Sequence, residues 1–220
     1  EDTLSLHDAL PIWGVEQQIT CVDGSTFQIY MANMKSIFMD MIKNTDMVIF
    51  NRCKKEDPLP TYRRGIKVAN QRAEVIFEDE EGELGDIFQD EMPFDMNAPV
   101  IEILPEDYGI WFVDAMDHPE NYEGKTVKFK ARVMKPRGMG SKFFVPGRTA
   151  MTCCADDTTF LGYVCKSAYA PKLTPGEWVE VTAKVGIEKR NEYQGEEGIV
   201  LDAEHVEQCD PLEDEMVYFN

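Results

Sequence analysis

The sequence predicts an α/β sheet followed by a small all-β barrel, and three observations carry this prediction. Apolar runs alternate with segments of helical periodicity at first, a strongly acidic stretch follows, and apolar and polar residues alternate with period two after Gly124. We therefore expect a partial parallel sheet at residues 13–78, an acidic linker at 79–99, an OB-like β-barrel at 100–210 and an acidic C-terminal tail at 211–220.

The α/β part is predicted from three short apolar runs separated by two helical segments. We predict strands at 18–22, 47–50 and 73–77 and a short helix at 62–70. An amphipathic helix between the first two strands is predicted from apolar residues at spacings of three and four, which we expect to face the core: Met31, Met34, Ile37, Phe38, Met41 and Ile42. The order strand, helix, strand, helix, strand implies a parallel sheet.

The barrel is predicted from a series of short strands with Gly and Pro between them. Residues 126–133 alternate strictly, as expected of a half-buried strand. Further strands are predicted at 100–104, 110–113, 143–145, 149–153, 160–165, 178–185 and 198–206, with a helix or turn at 114–121. This density of strands favours a small closed barrel, most simply OB-like, with a sandwich as the alternative.

Composition limits the classes of partner and compartment. The 220 residues carry 41 Asp and Glu against 22 Lys and Arg, for a net charge of −19, which disfavours nucleic acid as a partner of the whole chain. No apolar run is long enough for a membrane span. The six Cys lack a short-range CxxC pair, which favours reduced thiols in the cytoplasm over a disulfide framework.

A basic run crosses the predicted barrel. Residues 125–148 hold eight basic residues and no acidic one, with Phe129, Phe143 and Phe144 among them. Basic and aromatic residues on an OB-like face are typical of nucleic-acid binding. Three interpretations stay open: nucleic acid, docking of the acidic segment 74–95 or of a phosphate-bearing partner, and an ordinary solvated face.

Two clusters contain residues that bind metals in other proteins. Cys153 and Cys154 precede Asp156, and Cys165 follows on the next predicted strand, so the group predicts a Zn²⁺ site if a bulge brings both thiols to one side. The alternative is that these thiols pack in the core.

The second cluster is Asp114, Asp117 and His118, just before Pro119. Hard-metal binding or proton transfer is one interpretation of this cluster. The other is hydrogen bonding in a turn or helix cap.

The first part of the chain resembles CobW-type P-loop GTPases, which handle metal ions. The resemblance rests on the segments at 18–23, 44–52 and 70–75. It implies that Asn51 and Arg52 contact a guanine base, that Asp23 faces the phosphates, and that GTP and Mg²⁺ are cofactors of a metal-delivering protein. Lys54 stands where the family pattern has Asp.

The chain has no GxxxxGK[ST] motif, so we do not expect it to hydrolyse GTP as it stands. We expect that motif upstream of Trp13. Residues 3–12 resemble a translated sequencing adapter, and residues 1–12 are left out of the fold prediction for that reason. The missing strands should leave an unpaired sheet edge beside the Val48 strand.

The second part resembles the soluble C-terminal domain of YcgQ-type proteins, companions of a predicted permease subunit. The resemblance rests on the segments at 119–127, 144–157 and 176–181, and the run from Arg148 to Asp157 is its most specific part. It implies an OB-like domain whose partner is a permease-like or metal-receiving protein. Two functions stay open: a CobW-like GTPase linked to metal delivery, and a non-enzymatic permease-associated or protein-interaction module.

Overall fold

The structure is a computed structural model that describes residues 16–85, 92–154 and 157–217, except for the side chains of Cys153 and Cys154. The adapter-like segment at 1–12 and Asp156 lie outside the described residues. The described part of the chain divides into two compact units. The first unit holds residues 16–57 and 70–85, and the second holds residues 58–69 together with everything described after residue 91.

The first unit is a three-stranded parallel sheet with one helix against it. Its elements are β1 (Ile19–Asp23), α1 (Phe27–Ile42), β2 (Met47–Asn51) and β3 (Glu74–Phe77), and the strand order is β1-β2-β3. The helix α2 (Leu59–Ala69) connects β2 to β3 along the chain but belongs to the second unit. The predicted order of elements and the parallel pairing are therefore present, whereas their membership of a P-loop sheet stays a prediction.

The prediction of an unpaired sheet edge beside the Val48 strand is wrong. Strand β2 is central, with Val48 opposite Thr20 of β1 and Val75 of β3. The described part of the sheet therefore ends at β1 and β3. The prediction failed because it expected the unpaired edge at the strand that lies in the middle of the described sheet.

The buried face of helix α1 differs from the face that the sequence predicted. Phe38 and Ile42 are buried, but Met34, Ile37 and Met41 are 42%, 62% and 55% exposed. Apolar residues occupy both faces of this helix, so spacing alone could not choose the buried one. The backbone also leaves helical geometry at Met34, which changes the direction of the following turns.

The second unit contains α2 and every later element. These are β4 (Ile101–Glu102), α3 (Tyr108–Asp117), β5 (Thr126–Met134), β6 (Phe143–Cys154), β7 (Asp157–Gly162), β8 (Val164–Lys166), β9 (Trp178–Lys189), β10 (Glu197–Gln208) and β11 (Met216–Val217). Short 3₁₀ turns lie at Pro105–Asp107, Pro119–Asn121, Ala170–Lys172 and Asn191–Tyr193.

Five strands close into a barrel in the order β5-β6-β8-β10-β9, with β9 pairing back onto β5. The pairs around the barrel are antiparallel except β8 with β10, which is parallel. Strand β7 forms a hairpin with β6, while β11 adds to β6 and β4 to β5. The predicted small closed barrel is confirmed, and its strand order is compatible with an OB-like arrangement.

The segment predicted as a strand at 110–113 is helical. Helix α3 inserts Trp111 and Phe112 into the barrel core, where Trp111 packs on Phe129 with ring centroids 4.8 Å apart. Four consecutive apolar residues do not distinguish a buried strand from a buried helix. The helix begins directly after the 3₁₀ turn at Pro105–Asp107, a start signal that lies outside the apolar run itself.

The acidic segment and the tail both contribute to folded structure. Leu84 is buried and donates its backbone N–H to the carbonyl of Phe77, so residues 78–84 fold back on the first unit. Phe94 lies in the core of the second unit, and so does Val217 of β11. The second unit thus uses residues on both sides of the range 100–210. No helix in the described residues is long and apolar enough to cross a membrane.

Candidate functional site

A cleft of about 600 Å³ opens between two loops at one end of the barrel. One loop joins β5 to β6 and the other joins β9 to β10. The residues that line the cleft are Pro136, Arg137, Gly138, Met139, Gly140, Phe143, Lys189, Arg190, Asn191 and Glu192. Clefts of this volume accommodate small molecules or a short segment of a partner.

A stacked pair of planar side chains forms part of the cleft lining. The guanidinium carbon of Arg190 lies 4.3 Å from the centroid of the Phe143 ring. Glu192 accepts hydrogen bonds from Nε and Nη2 of Arg190 at 3.2 and 2.9 Å, and Glu188 lies 3.7 Å from Nη1. The hydrogen bond with Glu192 raises the pKa of Arg190 and lowers that of Glu192, so both groups stay charged near neutral pH.

Both loops are anchored to the barrel. The hydroxyl of Tyr193 donates to the carbonyl of Ile199 and accepts the backbone N–H of Val164 at 3.2 Å. A side chain at Gly198 would meet the Tyr193 ring at 2.5 Å, so this anchoring requires glycine there. On the other loop, Lys135 donates through Nζ to two backbone carbonyls of the segment at 170–173, each at 2.6 Å. Each loop is therefore tied to the barrel by hydrogen bonds of one of its side chains.

The structure divides the basic run at 125–148 into engaged and free residues. Five of its eight basic residues already contact groups of the second unit: Lys125, Lys128, Arg132, Lys135 and Arg148. Lys130, Arg137 and Lys142 make no ion pair with any described residue. Phe129 and Phe144 are buried in the core, which leaves Phe143 as the ring of this run that a ligand can reach.

Arg148 connects the C-terminal strand to the barrel. It is 2% exposed, and its guanidinium donates to the carbonyls of Pro105, Asp214 and Met216. Its Nε is buried without a hydrogen-bond partner among the described residues. Burial lowers the pKa of this guanidinium, because the charged form has lost its water. A cavity of about 310 Å³ lies beside it, with Pro105, Met216 and Val217 in its lining.

The predicted zinc ligands do not all come together. Cys165 pairs with Phe144 at one end of the long strand β6, whereas Cys153 and Cys154 lie nine and ten residues further along it. Nine residues of extended strand span about 30 Å. Cys165 is also buried, and burial raises the pKa of its thiol well above the ordinary value. The structure places Cys165 in the core, and zinc binding by Cys153, Cys154 and Asp156 stays a prediction.

No group of three or more His, Cys, Asp and Glu within the described ranges has the geometry of a metal site. The candidates Asp114, Asp117 and His118 instead have separate partners. Asp114 accepts a 2.6 Å hydrogen bond from the hydroxyl of Tyr122, and His118 lies 3.7 Å from Glu120.

Asp117 joins α3 to α2. Its side chain is 8% exposed and lies 2.9 Å from Nε of Arg63 and 3.0 Å from Nζ of Lys67. This triad is a structural ion-pair network on the second unit.

The predicted nucleotide-binding residues do lie together at the carboxyl ends of β1 and β2. Asp23 is opposite Asn51 in the sheet register, and Arg52 donates to Asp23 at 2.8 Å. Asn51 Oδ1 is buried without a hydrogen-bond partner among the described residues. Asp57 accepts the Lys54 backbone N–H at 2.8 Å and so closes a turn after β2.

Sequence reasoning missed the cleft and the role of Arg148. The cleft is built from two loops about fifty residues apart, and only the barrel closure brings them together. The sequence did contain a signal for the β5–β6 side of the cleft, because Gly138 and Gly140 interrupt a basic loop between two predicted strands. In the structure Gly138 adopts a φ of 86°. Nothing in the sequence marked Arg190 as its partner across the cleft.

Comparisons with known proteins give one family and weak structural likenesses. The mitochondrial single-stranded DNA binding protein Rim1 of S. cerevisiae is 10% identical, with a TM-score of 0.25 over 40% of this chain and 97% of that one. The aspartyl-tRNA synthetase of Entamoeba histolytica is 15% identical, with a TM-score of 0.27 over 54% of this chain and 27% of that one. The search of curated proteins gave no match. The model of the DUF1980 C-terminal domain family matches residues 83–219, more than half of the chain, and the chain therefore belongs to that family.

Proposed function

We propose that the second unit is a binding module whose ligand or partner occupies the cleft between the β5–β6 and β9–β10 loops. The observation that carries this proposal is the Arg190–Phe143 stack, which is fixed by two carboxylates and still lines an open cleft. Arranging charged and aromatic groups in this way is typical of a recognition surface. OB-like barrels bind ligands through the corresponding loops, which supports the same position.

The resemblance to YcgQ-type proteins supports a protein partner of the permease-like class. Family membership agrees with that resemblance for residues 83–219. In this proposal the second unit contributes recognition, and the cleft is where the partner or its ligand is bound.

Fragment screening by NMR tests the position of the site. We would titrate the full chain with a library of anionic, cationic and neutral fragments and map the amide shifts. Saturable hits should cluster at residues 136–143 and 188–192. Hits that cluster elsewhere, or no saturable hit at all, would contradict the proposal. The variant Lys184→Ala changes an exposed residue of β9 outside the cleft and serves as the control, which should leave fragment binding unchanged.

A second candidate function is favoured by one observation in the first unit. The buried, unpartnered Oδ1 of Asn51 suits a residue that completes its hydrogen bonds with a nucleotide base or a phosphate-binding loop. The CobW resemblance would make it the base-reading residue of a GTPase linked to metal delivery. Arg52 would then have to leave Asp23 to cover the base, since its guanidinium is paired in the present arrangement.

This second candidate depends on whether the natural gene encodes a GxxxxGK[ST] motif ahead of β1. A GxxxxGK[ST] motif there should yield a protein that binds GTP with Mg²⁺ and loses affinity with Asn51→Ala. The variant Asn33→Ala, on exposed α1, provides the control. An upstream sequence without such a motif would remove the GTPase from consideration and leave the binding module unaffected.

A further inference from the structure

The chemistry of the cleft ligand can be argued from the donors of Arg190. Two of its three guanidinium nitrogens donate to the Glu192 carboxylate, and the third lies closest to Glu188. Because the Glu192 carboxylate accepts from this edge and Glu188 lies close to it, a further anion would meet two negative charges there. The guanidinium carbon lies over the Phe143 ring, and the Arg190 side chain is 16% exposed. Stacks of this kind extend readily onto a third flat group.

The cleft also has cations that are free to bind an anion. Arg137 and Lys189 line it, are exposed, and make no ion pair with any residue the structure describes. Arg137 lies on the β5–β6 loop and Lys189 is the last residue of β9, so the two line the cleft from its two sides. A phosphate group is a suitable partner, because arginine and lysine are the common phosphate-binding side chains.

The net negative charge of the chain bears on the size of a phosphate ligand. The chain carries −19, and Glu188 and Glu192 lie beside the cleft. A long polyanion would meet this repulsion along its whole length, whereas a compact anion would meet mainly the local cations. The geometry therefore favours a small ligand with one phosphate group over a nucleic-acid strand.

We propose that the cleft binds a flat heteroaromatic ring that carries a phosphate monoester, the chemistry of a nucleoside monophosphate. The ring lies against the Arg190–Phe143 pair, and the phosphate lies between Arg137 and Lys189. This assignment rests on the proposed function, because it names the ligand class of the same cleft.

The test is a titration of the full chain with AMP at low salt, followed by calorimetry and amide NMR shifts. AMP should bind saturably, shift residues 136–143 and 188–192, and weaken as salt rises, since exposed cations are screened. Adenosine and inorganic phosphate, which each supply half of the ligand, should bind at least about tenfold more weakly. The oligonucleotide dT10 should bind more weakly than AMP.

Variants separate stacking from charge. Arg190→Lys keeps the positive charge and removes the plane, so it should weaken AMP binding about tenfold. Lys189→Ala should weaken it several-fold and flatten the salt dependence, while Lys184→Ala should leave it unchanged. If Arg190→Lys perturbs the fold, Phe143→Leu tests the same stack from its other member.

Three results would overturn the assignment: no saturation at about 10 mM AMP, full affinity in Arg190→Lys, or tighter binding of dT10 than of AMP. If fragments still cluster in the cleft when AMP does not bind, the site stands and the ligand class is wrong. If neither fragments nor AMP bind there, the proposed function fails as well.

Discussion

Replacing Arg148 by Met should destabilise the second unit by about 3 kcal/mol. The guanidinium makes three hydrogen bonds to backbone carbonyls of two separate segments, one before α3 and one at the C-terminus. Hydrogen bonds from a charged group contribute about 1.5–3 kcal/mol each. Their sum is reduced by the cost of holding a charge that is 2% exposed with one nitrogen unpartnered, which Met does not incur.

Urea unfolding followed by tryptophan fluorescence measures this loss. Trp111 and Trp178 are both buried in the second unit, so they report its unfolding. With a denaturant slope of about 2 kcal/mol per M, the midpoint should fall by about 1.5 M. The exposed neighbour Arg132, whose side chain is 48% exposed, is the control, and Arg132→Met should cost under about 1 kcal/mol.

Removing residues 214–220 tests whether Arg148 acts through β11. The truncation deletes two of its three acceptors and leaves a buried charge, so the truncated chain should be destabilised about as much as Arg148→Met. In the Arg148→Met background the truncation should cost about 1–2 kcal/mol less than in the unmodified chain. Additive effects, or a loss under about 1 kcal/mol for Arg148→Met alone, would refute the reasoning.

Three further predictions concern titration and thiol chemistry. Cys165, whose buried thiol has a raised pKa, should react with a disulfide reagent only on unfolding, whereas exposed Cys21 should react at once. The Ser25 hydroxyl chiefly lowers the pKa of Asp23 from its ordinary 3.8, so the ionised carboxylate contributes stability above pH 3.8 that is lost as the pH falls through the folded pKa. Asp23→Asn should therefore lower the urea midpoint at pH 7, and its difference from the unmodified chain should shrink as the pH falls below 3.8. Zinc and cobalt titration should show a thiolate absorption band that Cys153→Ser removes, and no band in the unmodified chain would contradict the metal-site prediction.

Strand positions could be predicted from the sequence because period-two alternation is a local property. The alternating segment predicted at 126–133 corresponds to β5, which runs Thr126–Met134. The neighbouring predictions at 143–145 and 149–153 merge into β6, because the strand continues through Pro146 and Gly147, which both pair with β5. Gly147 is needed there because a Cβ would lie 2.3 Å from the Leu161 carbonyl of β7.

Helix faces and sites were harder to predict because they depend on contacts between distant segments. Both faces of α1 carry apolar residues, so only packing identifies Phe38 as buried and Ile37 as exposed. The proximity of Asp23, Asn51 and Arg52 could be predicted, because parallel strands bring their carboxyl ends together. No such rule predicts the contact between Arg190 and Phe143, because that contact depends on how the barrel closes.

The family match and the folded unit begin at different residues, and this difference can be tested. The match starts at residue 83, but α2 supplies Val68 to the core of the second unit and places Arg63 and Lys67 beside Asp117. A chain of residues 83–220 would leave Asp117 without both cations.

We therefore expect Asp117→Asn to lower the stability of the full chain but not that of the 83–220 chain. In the full chain it breaks a mostly buried network and should cost about 2–4 kcal/mol in urea unfolding. In the 83–220 chain it removes a carboxylate that has lost its partners, so it should be neutral or stabilising. Glu120→Gln, an exposed change near the same turn, should be neutral in both. If Asp117→Asn destabilises both chains equally, its partners are within the family-matched segment and α2 is dispensable to this domain.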